Sequence, residues 1–100
     1  MDKVEFLLNK EQLLELVTDF KALGDENRLS IVLLLLNGKK NVSEISKEIK
    51  CSQSATSHQL RILKDAKILR CEKSGNENYY FIADNHVKTI IEKSVEHLYC

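Results

Sequence analysis

The chain has 100 residues, and its 15 Lys and Arg balance 15 Asp and Glu, so the formal net charge is zero. This length predicts one domain over residues 1–100, with a core so modest that pairing of two copies would help to bury apolar surface. The longest apolar run, residues 31–36, is too short to span a membrane, and residues 1–10 show no signal-peptide pattern. Cys51, Cys71 and Cys100 are odd in number and widely spaced, which argues against a disulfide framework. We therefore expect a cytoplasmic protein with reduced thiols and no membrane contact.

Charge is distributed unevenly along the chain. Residues 39–73 hold nine Lys or Arg against four acids, whereas residues 1–38 hold four against seven and residues 74–100 hold two against four. A basic middle between acidic flanks predicts that one part of the fold meets a polyanion. Chance clustering of charges on a solvated surface is the alternative.

The first third of the chain predicts two helices. Apolar residues recur every three or four positions in residues 10–23, and Gly24 ends that helix; they are Leu13, Leu16, Val17, Phe20 and Leu23. Asp25 is a candidate N-cap for a second helix over residues 26–37, which Gly38 ends. Its apolar run would also permit a buried strand, but the length and the bracketing glycines favour a buried helix.

Residues 42–68 predict two helices separated by a very short turn at Lys50 and Cys51, with Ser43 and Ser52 as their N-caps. The spacing i, i+3, i+4, i+7 places only polar side chains on one face of the second helix: Ser54, Ser57, His58 and Arg61. Most of the remaining face is apolar and can pack inward: Ala55, Leu60, Ile62, Leu63 and Ala66. Such a pair is a helix-turn-helix, whose second helix enters the major groove of DNA. A buried His58 is the alternative to a DNA-facing one.

Two β-prone runs follow, residues 69–73 and 78–82, joined by a Ser-Gly-Asn-Glu segment suited to a hairpin turn. Directly after a helix-turn-helix, a hairpin is the wing of a winged helix, and Lys73 near its tip is placed to reach a phosphate. A last helix is predicted over residues 84–98. Its apolar stripe suits a partner helix: Val87, Ile90, Ile91, Val95 and Leu98.

Four good metal ligands lie at the two ends of this last helix: Asp84 and His86 at its start, His97 and Cys100 at its end. The eleven residues from His86 to His97 span about 16 Å along a helix axis, whereas zinc ligands lie only about 2.0 to 2.3 Å from the metal. One helix therefore cannot bring the four together. If they share a metal, a second copy must run antiparallel, so that Asp84 and His86 of one chain meet His97 and Cys100 of the other.

Three segments of residues 20–100 resemble the ArsR/SmtB group of bacterial metal-sensing repressors, in its zinc- and cobalt-sensing branch. They are Lys21-Ala22-Leu23-Gly24-Asp25-Glu26-Asn27-Arg28-Leu29, then Ser52-Gln53-Ser54-Ala55-Thr56-Ser57-His58-Gln59-Leu60, then Asp84-x-His86 with the later His97. The resemblance implies a homodimeric winged helix-turn-helix, mainly α with a small β-hairpin, that dimerises through its N- and C-terminal helices. It implies a repressor that binds operator DNA without metal and is released when metal occupies two sites across the dimer.

Two positions depart from the family pattern. The fourth ligand of that branch is usually His or Glu, and here it is Cys100; the cysteines of the cadmium- and lead-sensing branch are replaced by Asn41, Val42 and Ser43. Because a thiolate favours softer ions, we rank Zn(II) first, then Co(II) or Cd(II).

We expect the partner to be double-stranded operator DNA with an imperfect inverted repeat. Base edges or nearby phosphates would be contacted by Gln53, Ser54, Ser57 and His58, and the DNA backbone by Arg61, Lys64 and Lys73. The alternative function is a thiol-based repressor that senses oxidants or sulfur species through its three cysteines. A small zinc hydrolase is a weaker alternative, because no general base stands apart from the ligands, and we predict no enzyme activity. A winged helix used only for protein contact is a further alternative.

Overall fold

The computed structural model describes residues 7–100, so the prediction made for residues 1–10 falls mostly outside it. The described part contains five helices and three strands. It is mainly helical with a small antiparallel sheet, which confirms the predicted winged helix-turn-helix. In chain order the elements are α1 Lys10–Leu23, α2 Glu26–Leu35, β1 Lys40–Asn41, α3 Val42–Ile49, α4 Gln53–Asp65, β2 Leu69–Ser74, β3 Glu77–Ile82 and α5 Asn85–His97.

Side-chain caps set the beginnings of the helices. Asp25, Ser52 and Asp84 cap α2, α4 and α5 through carboxylate or hydroxyl oxygens that accept backbone N–H bonds, which confirms the predicted starts of α2 and α4. The predicted cap of α3 is wrong. Asn41, not Ser43, caps it, in a capping box with Glu44 whose two hydrogen bonds are both 2.9 Å long.

Helix α2 ends at Leu35, two residues before the predicted end. The chain then turns through Leu36 and Asn37, and Gly38 adopts a φ of 131°, a conformation that a side chain would strain. This turn leads directly into β1, a two-residue strand that the sequence pattern did not reveal. Strand β1 pairs with β3, so the sheet order is β1-β3-β2.

Strands β2 and β3 form the predicted hairpin, each one residue longer than expected because Ser74 pairs with Glu77. The turn is therefore only Gly75 and Asn76, and Gly75 takes the positive φ, 64°, that such a tight connection needs. Lys73 pairs with Asn78 next to this turn and is exposed, which places it near the tip of the wing as predicted.

The core lies where α2, α3 and α4 meet the base of the hairpin, and its buried apolar side chains include Ile31, Val32, Leu35, Ile45, Leu60, Leu63, Ile68, Leu69 and Ile91. One predicted inward position is wrong. Ala55 is exposed, and Thr56 is fully buried instead, because it precedes the buried Leu60 and Leu63 by four and seven residues and so lies on the same side of α4.

Helices α1 and α5 bury few of their apolar residues. On α1 the large side chains Leu13, Leu16, Val17 and Phe20 stay exposed, Phe20 by 58%. Ile90 on α5 and Leu98, at the C-cap of α5, are exposed as well. Among residues 7–100 there is no helix with both the length and the hydropathy needed to cross a membrane.

Candidate nucleic-acid interface and candidate metal ligands

The turn between α3 and α4 is held by backbone bonds to Ser46, whose carbonyl accepts from the N–H groups of Lys50 and Cys51. Lys50 adopts a left-handed conformation, φ 58° and ψ 46°, which reverses the chain within two residues. Ser52 then begins α4 by accepting a 3.0 Å bond from the Ala55 N–H. The predicted turn is confirmed, and its tightness fixes the angle at which α4 leaves α3.

Helix α4 presents a polar face to solvent along its length. All four residues that helical spacing assigned to this face are exposed: Ser54, Ser57, His58 and Arg61. Gln53 and Lys64, the other two residues of α4 that we expect to contact DNA, are exposed as well. Thr56, Leu60 and Leu63 on the opposite side are fully buried. The alternative of a buried His58 is therefore wrong, and the face carries the donors and acceptors that base edges and phosphates require.

One of these residues is held from outside the helix. Gln53 donates a 2.9 Å hydrogen bond from Nε2 to the hydroxyl of Ser43 on α3. The bond leaves the amide oxygen of Gln53 as an acceptor at the N-terminal end of the exposed face. Ser43, the wrongly predicted cap, thus orients a residue of α4.

Cations also extend along the hairpin. Lys39 forms a 3.4 Å ion pair with Glu72, which neutralises this carboxylate of β2. The Lys39 ammonium also lies 5.5 Å from the ring centroid of Tyr79. Arg70 lies 5.9 Å from the ring centroid of Phe81. Within residues 7–100, Lys73 has no carboxylate at ion-pair distance. In the part of the chain that the structure describes, the hairpin therefore carries an exposed cation next to its tip that no carboxylate neutralises.

The predicted metal ligands lie in two separate pairs. At the start of α5, Nδ1 of His86 is 3.6 Å from Oδ1 of Asp84, and that same oxygen accepts a 3.0 Å bond from the Val87 N–H. The Asp84 carboxylate therefore acts as a cap and keeps its second oxygen for another partner. At the other end, His97 lies in the last turn and Cys100 is exposed, with Sγ 3.5 Å from the Glu96 carbonyl.

The structure does not bring the two pairs together. Among residues 7–100, no group of three or more His, Cys, Asp or Glu side chains is placed to hold one metal ion. This agrees with the distance argument, since α5 itself separates the pairs. Each pair has side chains that are exposed and chemically suited to zinc, so the donor set fits a metal only if a second chain supplies the other half.

Asp84 and His86 open onto a groove of about 690 Å³ between α1, the end of α4 and the start of α5. Its walls are largely apolar, and they include Leu16, Phe20 and Ile90. Burial here raises the pKa of Asp19, Glu15 adds to the rise, and Lys67 acts against it. The groove thus joins the exposed apolar face of α1 to one pair of candidate ligands.

The three cysteines are free thiols in distinct surroundings. Cys51 is half-buried in the turn before α4, Cys71 is half-buried on β2, and Cys100 is exposed. Cys71 lies opposite Tyr80 in the hairpin. Burial raises the pKa of the Tyr80 hydroxyl, and the neighbouring Cys71 thiol raises it further.

The sequence reasoning missed a contact that joins α1 to α4. The Arg28 guanidinium donates from Nε to the Ala22 carbonyl at 2.8 Å and from Nη1 to Oε1 of Gln59 at 2.9 Å. The residues lie in two of the segments that carried the family resemblance, but no spacing rule pairs positions 31 apart in the chain. Only the fold reveals the contact.

The chain is similar to several bacterial regulators. The family model described as "Bacterial regulatory protein, arsR family" matches residues 25–70. A "Transcriptional repressor SmtB homolog" from Synechocystis is 33% identical over 92 residues, 92% of this chain and 70% of that protein. A "Cadmium resistance transcriptional regulatory protein CadC homolog" from Staphylococcus aureus is 36% identical over 91 residues, 90% of this chain and 75% of that protein.

Solved structures show the same fold. HlyU from Vibrio cholerae aligns with a TM-score of 0.80 at 30% identity, covering 92% of this chain and 99% of that one. A homodimeric winged helix-turn-helix DNA-binding domain from Mycobacterium bovis, Mb0332, aligns with a TM-score of 0.83 at 23% identity, covering 95% and 90%. The match in sequence, the shared fold and the exposed polar face of α4 agree. The chain therefore belongs to the ArsR family of bacterial regulatory proteins, and it is a DNA-binding transcriptional regulator rather than an enzyme.

Proposed function

We propose that the protein is a metal-responsive repressor. Two copies pair through α1 and α5, the metal-free dimer binds an operator with imperfect inverted repeats, and Zn(II) or a similar divalent ion releases it. The observation that supports this proposal is the arrangement of one chain, which has an exposed polar face on α4 and a pair of candidate metal ligands at each end of α5.

Pairing is supported by the outer faces of α1 and α5. Large apolar residues that are more than one-third exposed number five on α1 and two on α5, and Leu98 at the C-cap of α5 joins them, a density typical of an interface rather than of scattered surface residues. They are Leu13, Leu14, Leu16, Val17, Phe20, Ile90, Val95 and Leu98. The homodimeric neighbour Mb0332 shows that this fold can pair. A two-fold axis between the α5 helices would bring unlike ends of the two helices together when they run antiparallel.

The dimer would present two α4 helices to successive major grooves, with half-sites about one helical turn, 10 to 10.5 base pairs, apart. Gln53, Ser54, Ser57 and His58 would contact base edges or nearby phosphates, while Arg61, Lys64 and Lys73 would contact phosphates. All seven are exposed in the single chain, so binding would require no unfolding of the domain.

For the metal, Asp84 and His86 of one chain would combine with His97 and Cys100 of the other. These four residues would hold a zinc ion through oxygen, nitrogen and sulfur donors, and a set in which the protein supplies all four ligands leaves no open position for catalysis. The thiolate of Cys100 makes the set softer, which ranks Zn(II) ahead of Co(II) and makes Cd(II) a competitor.

Coupling to DNA would pass from His97 to the end of α4. A ligating imidazole donates its other ring N–H to an acceptor, and a backbone carbonyl near Lys67, just after α4, is the acceptor that we propose. Lys67 lines the same groove as Asp84 and His86. Because coupling is reciprocal, operator DNA should weaken metal binding by the factor by which metal weakens DNA binding.

The test is operator binding titrated with Zn(II), Co(II), Ni(II) and Cd(II). We expect the wild-type protein to leave DNA when zinc is added, and His97→Gln to bind operator equally well but not respond. Release of His97→Gln by zinc would refute the ligand assignment. Sulfur-to-metal charge-transfer absorption in the cobalt form, lost in Cys100→Ser, would report ligation by Cys100.

A thiol-sensing repressor of the same fold is the second candidate, supported by the free Cys51 in the turn before α4 and by Cys71 against Tyr80 in the hairpin. It predicts release from operator by peroxide or persulfide that survives removal of both His86 and His97. If the variant that lacks both histidines no longer responds to zinc and binds DNA equally well with and without peroxide, the thiol-sensing candidate is excluded.

A further inference from the structure

Arg28 connects three helices through its main chain and side chain. Its backbone N–H donates to the Asp25 carboxylate at the start of α2, at 3.1 Å. Its guanidinium reaches back to the Ala22 carbonyl on α1 and across to Gln59 on α4. We name the side-chain contacts from Ala22 through Arg28 to Gln59 the arginine bridge.

The α1 end of the arginine bridge satisfies an acceptor that the helix leaves free. Helix α1 ends at Leu23, and Gly24 folds its N–H onto the Lys21 carbonyl, so the chain departs before an amide can reach the Ala22 carbonyl from the next turn. A cation at a helix C-terminus also interacts favourably with the helix dipole. Ala22 is only 5% exposed and Arg28 is half-buried, so the Arg28–Ala22 bond is partly shielded from water.

The α4 end of the arginine bridge lies directly behind the exposed polar face. Gln59 is half-buried and stands between the exposed His58 and the fully buried Leu60. Its amide oxygen, held at 2.9 Å by Arg28, limits both rotation of α4 about its axis and tilt against α1. Apolar packing alone tolerates small rotations, whereas a charge-assisted hydrogen bond is directional.

We propose that Arg28 and Gln59 are positioning residues that fix the angle between α1 and α4 and so select the separation of the two operator half-sites. The inference rests on the proposed function, in which α1 pairs two copies and α4 reads DNA. Neither residue needs to touch DNA for this role.

The geometry makes half-site separation a sensitive readout. Helix α4 has 13 residues and is thus about 20 Å long, so a tilt of about 10° about one end moves the other end by about 3.4 Å. That displacement equals about one base-pair step along the duplex. The two-fold axis repeats the tilt in the second copy, so a small loosening of the bridge in each chain widens the range of separations that both helices can fit.

The experiment uses full-length protein and an operator selected by the wild-type protein from random duplexes. The two selected half-sites are then placed in a series of duplexes whose separation changes by single base pairs. The measured quantity is the ratio of affinities between the best separation and those one base pair shorter or longer. Because each ratio compares one protein sample on two duplexes, partial unfolding of a variant cancels.

We expect Gln59→Met, which removes the acceptor at nearly constant length, to lower this ratio about fivefold, the equivalent of one net hydrogen bond. Arg28→Lys should lower it similarly, and the double variant should lose no more than either single variant, because all three break one bridge. Gln59→Glu keeps an acceptor for Nη1 and should retain the ratio, although its charge weakens binding to every duplex.

Three results would overturn the inference. Gln59→Met could weaken all separations equally, which would mean that Gln59 contacts DNA or acts only in stability. The double variant could show additive losses, or Gln59→Glu could lose the ratio as Gln59→Met does. A wild-type protein that selects no inverted repeat would refute the proposed function itself, and the inference with it.

Discussion

The salt dependence of operator binding should report how many phosphates the exposed cations contact. Arg61, Lys64 and Lys73 are exposed, and within residues 7–100 none of the three has a carboxylate at ion-pair distance. Three cations in each of two protomers would neutralise six phosphates, which gives a slope of log K against log salt of about −5. Affinity should then fall by about 10³-fold between 50 and 200 mM salt.

Arg61→Gln removes one cation from each protomer and should make the slope less negative by about 2. Lys88→Gln is the matched control, because Lys88 is an exposed cation on α5 and is not among the residues that we expect to contact DNA. Fluorescence anisotropy of a labelled operator, measured across salt concentrations, gives each slope. An Arg61→Gln slope equal to that of wild type, or an equal change in Lys88→Gln, would refute the assignment of α4 as the DNA-contacting surface.

Three further predictions concern stability. Thr56 is fully buried, and among residues 7–100 its hydroxyl has no hydrogen-bond partner. Thr56→Val should therefore raise the free energy of unfolding, measured by urea titration, by about 1 kcal/mol, whereas the exposed Thr18→Val should change it by less than about 0.5 kcal/mol. A loss of stability in Thr56→Val would show that the hydroxyl is bonded. Asn41→Ala removes the cap of α3 and should lower the free energy of unfolding by about 1 kcal/mol, and Ser43→Ala should lower it by less. Urea titrations of both variants measure the two losses, and a larger loss in Ser43→Ala would show that Ser43 is the cap. Folding raises the pKa of the Asp19 carboxyl, so the folded protein binds a proton there more tightly than the unfolded chain does. Asp19→Asn should therefore raise the thermal midpoint at pH 7, and this gain should disappear as the pH falls through the carboxyl range. A gain in thermal midpoint that is constant with pH would contradict the prediction.

The sequence predicted the helices and the hairpin because their signals are local. Apolar periodicity located α1 to its terminal residues, and the candidate caps Asp25 and Ser52 located the starts of α2 and α4. The polar face of α4 followed from helical spacing alone, and every residue assigned to it is exposed. Local signals failed where two caps competed, since Asn41 and Ser43 are both good N-caps and only the capping box with Glu44 decides between them.

Features that depend on distant parts of the chain were not predictable. Strand β1 has only two residues and exists because β3 supplies its partners. The arginine bridge joins positions 31 apart, and its acceptor on α1 is a backbone carbonyl that no side-chain pattern marks. The metal ligands behave differently, because their spacing on one helix already ruled out a site within a single chain.

The central claim, a metal site shared between two copies, is tested most directly by mixing two inactive variants. His86→Gln and His97→Gln homodimers should each lack an intact zinc site, since every site takes one histidine from each chain. A heterodimer, purified with two different tags, combines both losses in one site and leaves the other intact. We predict that it binds one zinc ion tightly and is released from operator by zinc. A heterodimer that binds no zinc tightly would contradict a site shared between copies.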